Sequence, residues 1–107
     1  MAQYSRIQVI NKMMESRMVP LFYHSDFQVA KNILQACYNG GARLIEFTNR
    51  GDFAIKVFSE LIKFASKELP GMIVGIGSVA DSAAASQYML QGANFVVTPV
   101  LRADIAI

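Results

Sequence analysis

The sequence predicts an α/β fold with parallel strands, and three observations predict it. Short apolar runs of strand length alternate four times with segments in which apolar residues recur at helical spacing. The helical segments end at glycine, as Gly40-Gly41, Pro70-Gly71 and Gly92, where a chain leaves a helix without strain. Gly41-Ala42 and Gly92-Ala93 each stand between a helix and a strand, an echo that suits repeated units. Strands alternating with helices run parallel and are joined by right-handed crossovers. A closed barrel and an open doubly wound sheet both satisfy this pattern.

The elements follow in order. Ser5 and Gln8 form a capping box, and Ile7, Ile10 and Met14 carry a leading helix over residues 5–16. Residues 18–23 are the first strand. Ser25 and Gln28 repeat the capping signature before a helix whose stripe is Ala30, Ile33, Leu34 and Cys37. Residues 43–48 form the second strand, and Asp52 is placed to cap a helix with Ala54, Val57, Phe58, Leu61, Ile62 and Ala65 on one face. Residues 72–76 are the third strand, 81–91 the next helix, and 95–98 a fourth strand ended by Pro99. Arg102 onward reads as the first turn of a further helix.

Composition narrows the function classes. One domain is expected over residues 1–107, since 107 residues at 53% hydrophobic content suffice for a single core. The net charge of +2 comes from scattered basic residues, which argues against a nucleic-acid partner. A lone Cys37 excludes an intramolecular disulfide and, with no Cys/His cluster, fits a reducing cytoplasm without structural zinc. The first sixteen residues lack the apolar core of a signal peptide. Residues 82–101 are uncharged, but Gln87, Gln91, Gly92, Asn94 and Pro99 make them a poor membrane span. No membrane partner is expected.

The chemistry gathers at strand ends. Leu44, Glu46 and Thr48 share one face of their strand, and Ile45 and Phe47 the other. With the latter pair beneath helices, Glu46 faces the interior near the carboxyl end of its strand, where α/β folds keep their sites. A buried carboxylate needs a partner or a use. Arg50, four residues on, offers either a structural ion pair or a shared ligand. Gly75-Ile76-Gly77-Ser78 ends the third strand with small residues whose backbone N–H groups and hydroxyl suit an anionic oxygen, although on pattern alone plain turn chemistry is the favoured reading. Gly75-x-Gly77-x-x-Ala80 matches a dinucleotide fingerprint only weakly, because the next strand lacks the acidic residue that holds a ribose. His24 has no partner at ligand spacing and reads as a loop residue.

These segments, in order, resemble the class I aldolases acting on 2-keto-3-deoxy-6-phosphogluconate and 4-hydroxy-2-oxoglutarate. The resemblance rests on Val19-Pro20, Gly40-Gly41-Ala42, Glu46-x-Thr48-x-Arg50, Gly75-Ile76-Gly77-Ser78-Val79, and Gly92-Ala93-Asn94-Phe95 leading to Thr98-Pro99. It implies a parallel (β/α)8 barrel of TIM type, of which these residues make the first four strand/helix units, a half-barrel with a leading helix. It implies Glu46 as the general acid/base and Arg50 as the holder of the keto-acid carboxylate. Ser78, where the family usually has Thr, and the Gly77 backbone contact the same carboxylate, and Pro99 lines the pocket. The implied partner is a small keto acid: pyruvate, 2-keto-3-deoxy-6-phosphogluconate or 4-hydroxy-2-oxoglutarate. No metal or cofactor is implied.

The family's Schiff-base lysine belongs to the sixth strand and its phosphate site to the seventh and eighth. Lys12, Lys31, Lys56, Lys63 and Lys67 all fall on predicted helices. The expectation is therefore that the 107 residues alone form no Schiff base. A second reading is a non-catalytic half-barrel that self-associates and at most binds keto acids. Open edges on the first and fourth strands make a homo-oligomer the expected state under either.

Overall fold

The computed structural model describes residues 2–101 and 103–106. Helix α1 (Arg6–Ser16) leads into strand β1 (Leu21–Phe22), helix α2 (Phe27–Asn39), strand β2 (Leu44–Thr48) and helix α3 (Ala54–Glu68). Strand β3 (Ile73–Gly77), helix α4 (Ser82–Leu90) and a short helix α5 (Ala103–Ala106) follow. Arg102, expected to open the last helix, lies outside the described residues. The sheet has the order β1-β2-β3 and both pairings are parallel, with Leu21 opposite Glu46 and Thr48 opposite Gly77. The α/β class and the alternation of elements are as the sequence predicts.

Two strands are shorter than expected, for the same reason. Residues 18–23 yield only Leu21–Phe22. Pro20 has no N–H to give to a ladder, although its carbonyl accepts the Glu46 N–H at 2.9 Å, and Met18 is solvent-exposed. Residues 95–98 form a single parallel bridge, Val96 with Ile76. There the Ile76 N–H donates to the Phe95 carbonyl at 3.0 Å and the Val97 N–H to the Ile76 carbonyl at 2.8 Å. Both segments have a partner on one side only, so half of each segment's ladder groups remain open.

The caps correct the sequence reading twice. The box at α1 forms: Ser5 Oγ accepts the Gln8 N–H, and Gln8 Oε1 accepts the Ser5 N–H. Asp81 caps α4 through the Ala84 N–H at 2.7 Å. At α2 the cap is Asp26 rather than Ser25, its Oδ1 accepting from Gln28 and Val29. Asp52 does not cap α3. The N-cap is Phe53, in the left-handed region at φ 62° with no side-chain cap, and the Ala54 N–H goes to the Gly51 carbonyl instead.

Both faces of the central strands are buried. Ile45, Phe47, Val74 and Ile76 pack under the crossover helices against Ala30, Leu34, Phe58, Leu61 and Tyr88. An aromatic run, Phe22 to Phe47 to Phe58 to Tyr88, crosses this layer with centroids 5.3–6.3 Å apart. On the opposite face Leu44 and Ile73 meet Val9 of α1, flanked by Tyr4, Met13, Val19 and Phe95. The sequence periodicity of α1 pointed to Ile7, Ile10 and Met14, yet these are exposed and Val9 is the residue buried. Asn94 fastens the leading segment in place. Its Oδ1 accepts the N–H groups of Gln3 and Tyr4, and its Nδ2 donates to the Val74 carbonyl.

Candidate active site

Glu46 sits where strand parity places it, on the face away from the crossover helices, near the carboxyl end of β2. It is 9% exposed. The reason it fits is across the ladder. A Cβ on Gly77 would overlap the Glu46 carboxyl, and one on Gly75 would overlap the Phe95 ring. The two glycines therefore leave room for two side chains laid over β3, one acidic and one aromatic, and alternating glycines in a strand are the signal for such an approach. Sequence reasoning read Phe95 only as a strand residue and missed this contact.

Electrostatics set Glu46 apart from the other carboxylates. Among the described residues the ion pairs are Lys12–Glu15 and Lys63–Glu60, both on helix surfaces. A structural ion pair between Glu46 and Arg50 does not form, and no described donor hydrogen-bonds to the Glu46 carboxyl. Burial raises its pKa above 4.5, and the nearby Arg50 guanidinium partly opposes that rise. The result is an acid with a proton held more firmly than at the surface, and with a cation close by.

The loop after β2 carries that cation. The Asn49 N–H donates to the Gly77 carbonyl at 2.9 Å and the Arg50 N–H to the Thr48 carbonyl at 3.0 Å. Thr48 Oγ1 donates to the Phe22 carbonyl, joining the ends of β1 and β2. Arg50 is exposed. Ser78 leaves β3 in the left-handed region at φ 59° and is exposed, while the next residue, Val79, is fully buried. Glu46, Gly77 and the charge of Arg50 are thus brought together, with Ser78 next to Gly77 at the same end of the sheet. Pro99 is exposed, just beyond the segment that flanks β3.

Other sequence candidates resolve to structure. His24 Nδ1 accepts the Asp26 N–H at 3.0 Å, a local turn contact. Cys37 is half-buried against the helix-side core. All five lysines are on helices: Lys12 on α1, Lys31 on α2, and Lys56, Lys63 and Lys67 on α3. Among the described residues no group of three His, Cys, Asp or Glu is placed to hold a metal, and no helix is long and apolar enough to cross a membrane. A hollow of about 580 Å³ does not include Glu46. It lies between α1, residues 93–98 and α5, lined among others by Ile10, Met13, Met89, Phe95 and Leu101.

Known proteins are similar to this chain in sequence and fold. The chain is 36% identical over 87 residues to the 2-dehydro-3-deoxy-phosphogluconate aldolase of Zymomonas mobilis, covering 81% of this chain and 39% of that protein. It superposes on the crystal structure of the 2-keto-3-deoxy-6-phosphogluconate aldolase of Zymomonas mobilis ZM4 with 3-phosphoglycerate, with a TM-score of 0.69 at 32% identity, over 81% of this chain and 39% of that one. The KDPG aldolase of Legionella pneumophila, solved with pyruvate captured at low pH as a covalent carbinolamine intermediate, matches with a TM-score of 0.72 over 81% of this chain and 40% of that one. At 24% identity that likeness concerns the fold alone. The chain spans 39% of the length of the curated Zymomonas relative it matches. The family model described as KDPG and KHG aldolase matches residues 9–107, and the chain belongs to that family.

Proposed function

We propose that this chain supplies the acid/base and carboxylate-binding part of a class I aldolase of the 2-keto-3-deoxy-6-phosphogluconate / 4-hydroxy-2-oxoglutarate type, a carbon–carbon lyase releasing pyruvate. One observation carries the reading: a buried carboxylate, Glu46, without a described hydrogen-bond or ion-pair partner, laid over Gly77 and within the field of Arg50. In this reading the four strand positions are the first half of a (β/α)8 barrel, and the open face is its interior. The Arg50 guanidinium, a planar donor fork, holds the carboxylate of the keto acid, helped by the Ser78 hydroxyl and the Gly77 backbone. Pro99 borders the pocket.

The raised pKa of Glu46 suits a group that must hold a proton at one step and give it up at another. Glu46 gives its proton to the hydroxyl leaving the carbinolamine and, once ionised, receives one as the carbon–carbon bond breaks. The amine itself comes from outside these 107 residues, because every lysine here is on a helix and a Schiff base needs an amine held in the pocket. A cytoplasmic location is part of this proposal. Borohydride reduction in the presence of pyruvate, read by mass spectrometry, is the test. The isolated chain is expected to give no adduct, and a longer protein that adds a strand-borne lysine is expected to give one; a stable adduct on any of the five lysines would overturn the assignment.

A second reading, a self-associating half-barrel that at most binds keto acids, is favoured by the apolar hollow beside α1 and by the exposure of Leu21 and Val97 at the two open edges. Light scattering at micromolar concentration decides that part: a stable monomer removes it.

A further inference from the structure

We propose that Tyr88 is a positioning residue for Arg50, acting through Asn49 and the turn that follows it. The inference rests on the carboxylate-binding role given to Arg50 above. The loop between β2 and α3 is short and carries an unfavourable conformation, since Phe53 is left-handed at φ 62° and 79% exposed. A non-glycine residue held there implies that the surroundings fix it.

Two tyrosines supply the fixing. Tyr88, on α4 and 3% exposed, donates its hydroxyl to Asn49 Oδ1 at 2.7 Å. Its ring stacks edge-on against Phe58, with centroids 5.3 Å apart, so the hydroxyl is aimed by the core itself. Tyr23 presses from β1's end: its ring packs on Phe47 at 5.5 Å, and its hydroxyl lies where a Cβ of residue 51 would be, which is why residue 51 is glycine. Asn49 is tied a second time through its backbone N–H to the Gly77 carbonyl. Arg50 therefore sits between a residue held by two hydrogen bonds and a glycine held by contact. Burial and the neighbouring Tyr23 push the Tyr88 pKa up to about 12, so the hydroxyl stays a donor through the whole working range.

The arrangement links two successive strand/helix units: α4 grips the loop after β2, and that loop grips the end of β3. A guanidinium on a long side chain loses less freedom on binding when its backbone is already fixed. Fixing Asn49 thereby aims Arg50 at the space above Glu46 and Gly77.

The test replaces Tyr88 by Phe, which keeps the ring and deletes the hydroxyl, and Asn49 by Ala, which deletes the acceptor. Three readouts are taken on the 107-residue chain: amide exchange at residues 50–53, the pKa of Glu46 by carboxyl carbon NMR, and pyruvate affinity by NMR titration. Exchange at 50–53 should rise about tenfold in either variant, the loss of one hydrogen bond of about 1.4 kcal/mol. Because Arg50 lowers the Glu46 pKa, a wandering guanidinium should let that pKa rise, and adding Arg50→Gln to Tyr88→Phe should raise it no further than Arg50→Gln alone. Pyruvate affinity should fall about 3–10-fold. Wild-type exchange and wild-type Glu46 titration in Tyr88→Phe would overturn the clamp. A wild-type chain that binds no pyruvate would overturn the role of Arg50 instead, and the exchange and titration results would still decide the clamp.

Discussion

Replacing Gly77 by alanine tests whether Glu46 is held in place by the absence of a side chain opposite it. The new Cβ would lie 3.0 Å from Glu46 Cγ and overlap its Cδ and Oε2, whereas carbon atoms rest about 3.5–4.0 Å apart. The carboxyl must retreat by about 1 Å or more to clear it. What moves is the far end of a flexible side chain, so the fold should survive. An off-rotamer glutamate costs about 0.5–1.5 kcal/mol, and exchanging glycine for alanine returns about 0.4–1 kcal/mol through the unfolded chain. Urea unfolding should therefore shift by no more than about 1 kcal/mol. The site should respond far more strongly. In wild type burial holds the Glu46 pKa above 4.5; displaced toward solvent, the carboxyl should titrate closer to that value in a carbon NMR experiment. In a longer protein carrying the lysine, a misplacement of this size should lower turnover about 10²-fold. A variant whose Glu46 titrates as in wild type would refute the reasoning, since the carboxyl would not then be resting on Gly77.

Other substitutions separate stability from chemistry. Glu46→Gln removes the buried charge: the wild-type pKa is raised in the fold, so the stability tied to protonation is complete below pH 4.5 and is lost as pH rises through the folded pKa. The variant should therefore be the more stable at pH 7 and equal to wild type below pH 4.5, as read from urea midpoints, and turnover of the longer protein should drop about 10²–10⁴-fold. Asn94→Ala deletes three hydrogen bonds and should cost about 1.5–4 kcal/mol, with faster amide exchange through α1 as the accompanying sign. Gly75→Ala should cost about 1–3 kcal/mol by overpacking against the Phe95 ring, more than Gly77→Ala, because a wedged aromatic cannot swing aside as a glutamate can; equal unfolding midpoints for the two would count against the close packing.

What could be read in advance followed from local rules. Ser5 with Gln8 obeys capping chemistry settled within four residues, and the face of Glu46 is fixed by the two-residue period of a strand. Most failures needed partners distant in sequence. Residues 18–23 have the composition of a full strand but only one neighbour and a proline in the ladder. Asp52 has the right chemistry for a cap, yet Tyr23 against Gly51 and Tyr88 on Asn49 set the loop's path, and Phe53 rather than Asp52 ends in the cap position. One failure was local: Asp26 replaces Ser25, with His24 Nδ1 accepting the Asp26 N–H where the chain turns. On α1 the sequence shows two apolar sides, and nothing local says that Val9 faces the sheet. The Phe95 ring over Gly75 and the Asn49–Tyr88 contact were invisible for the same reason, although the alternating glycines of β3 announced that something bulky would lie across them.

The grip of Asn94 on the backbone of Gln3 and Tyr4 has a consequence in time. The acceptor is made 90 residues after Tyr4, and ribosomes add about 5–20 residues per second. The leading segment therefore waits about 5–18 s on a growing chain before its anchor exists. The strands that α1 packs against, β2 and β3, are also completed only after it. Until those strands form, the helix has Val9 and Met13 on one side and Ile7, Ile10 and Met14 on the other with nothing to cover either. Of the elements described, the one made earliest is among the last to be seated.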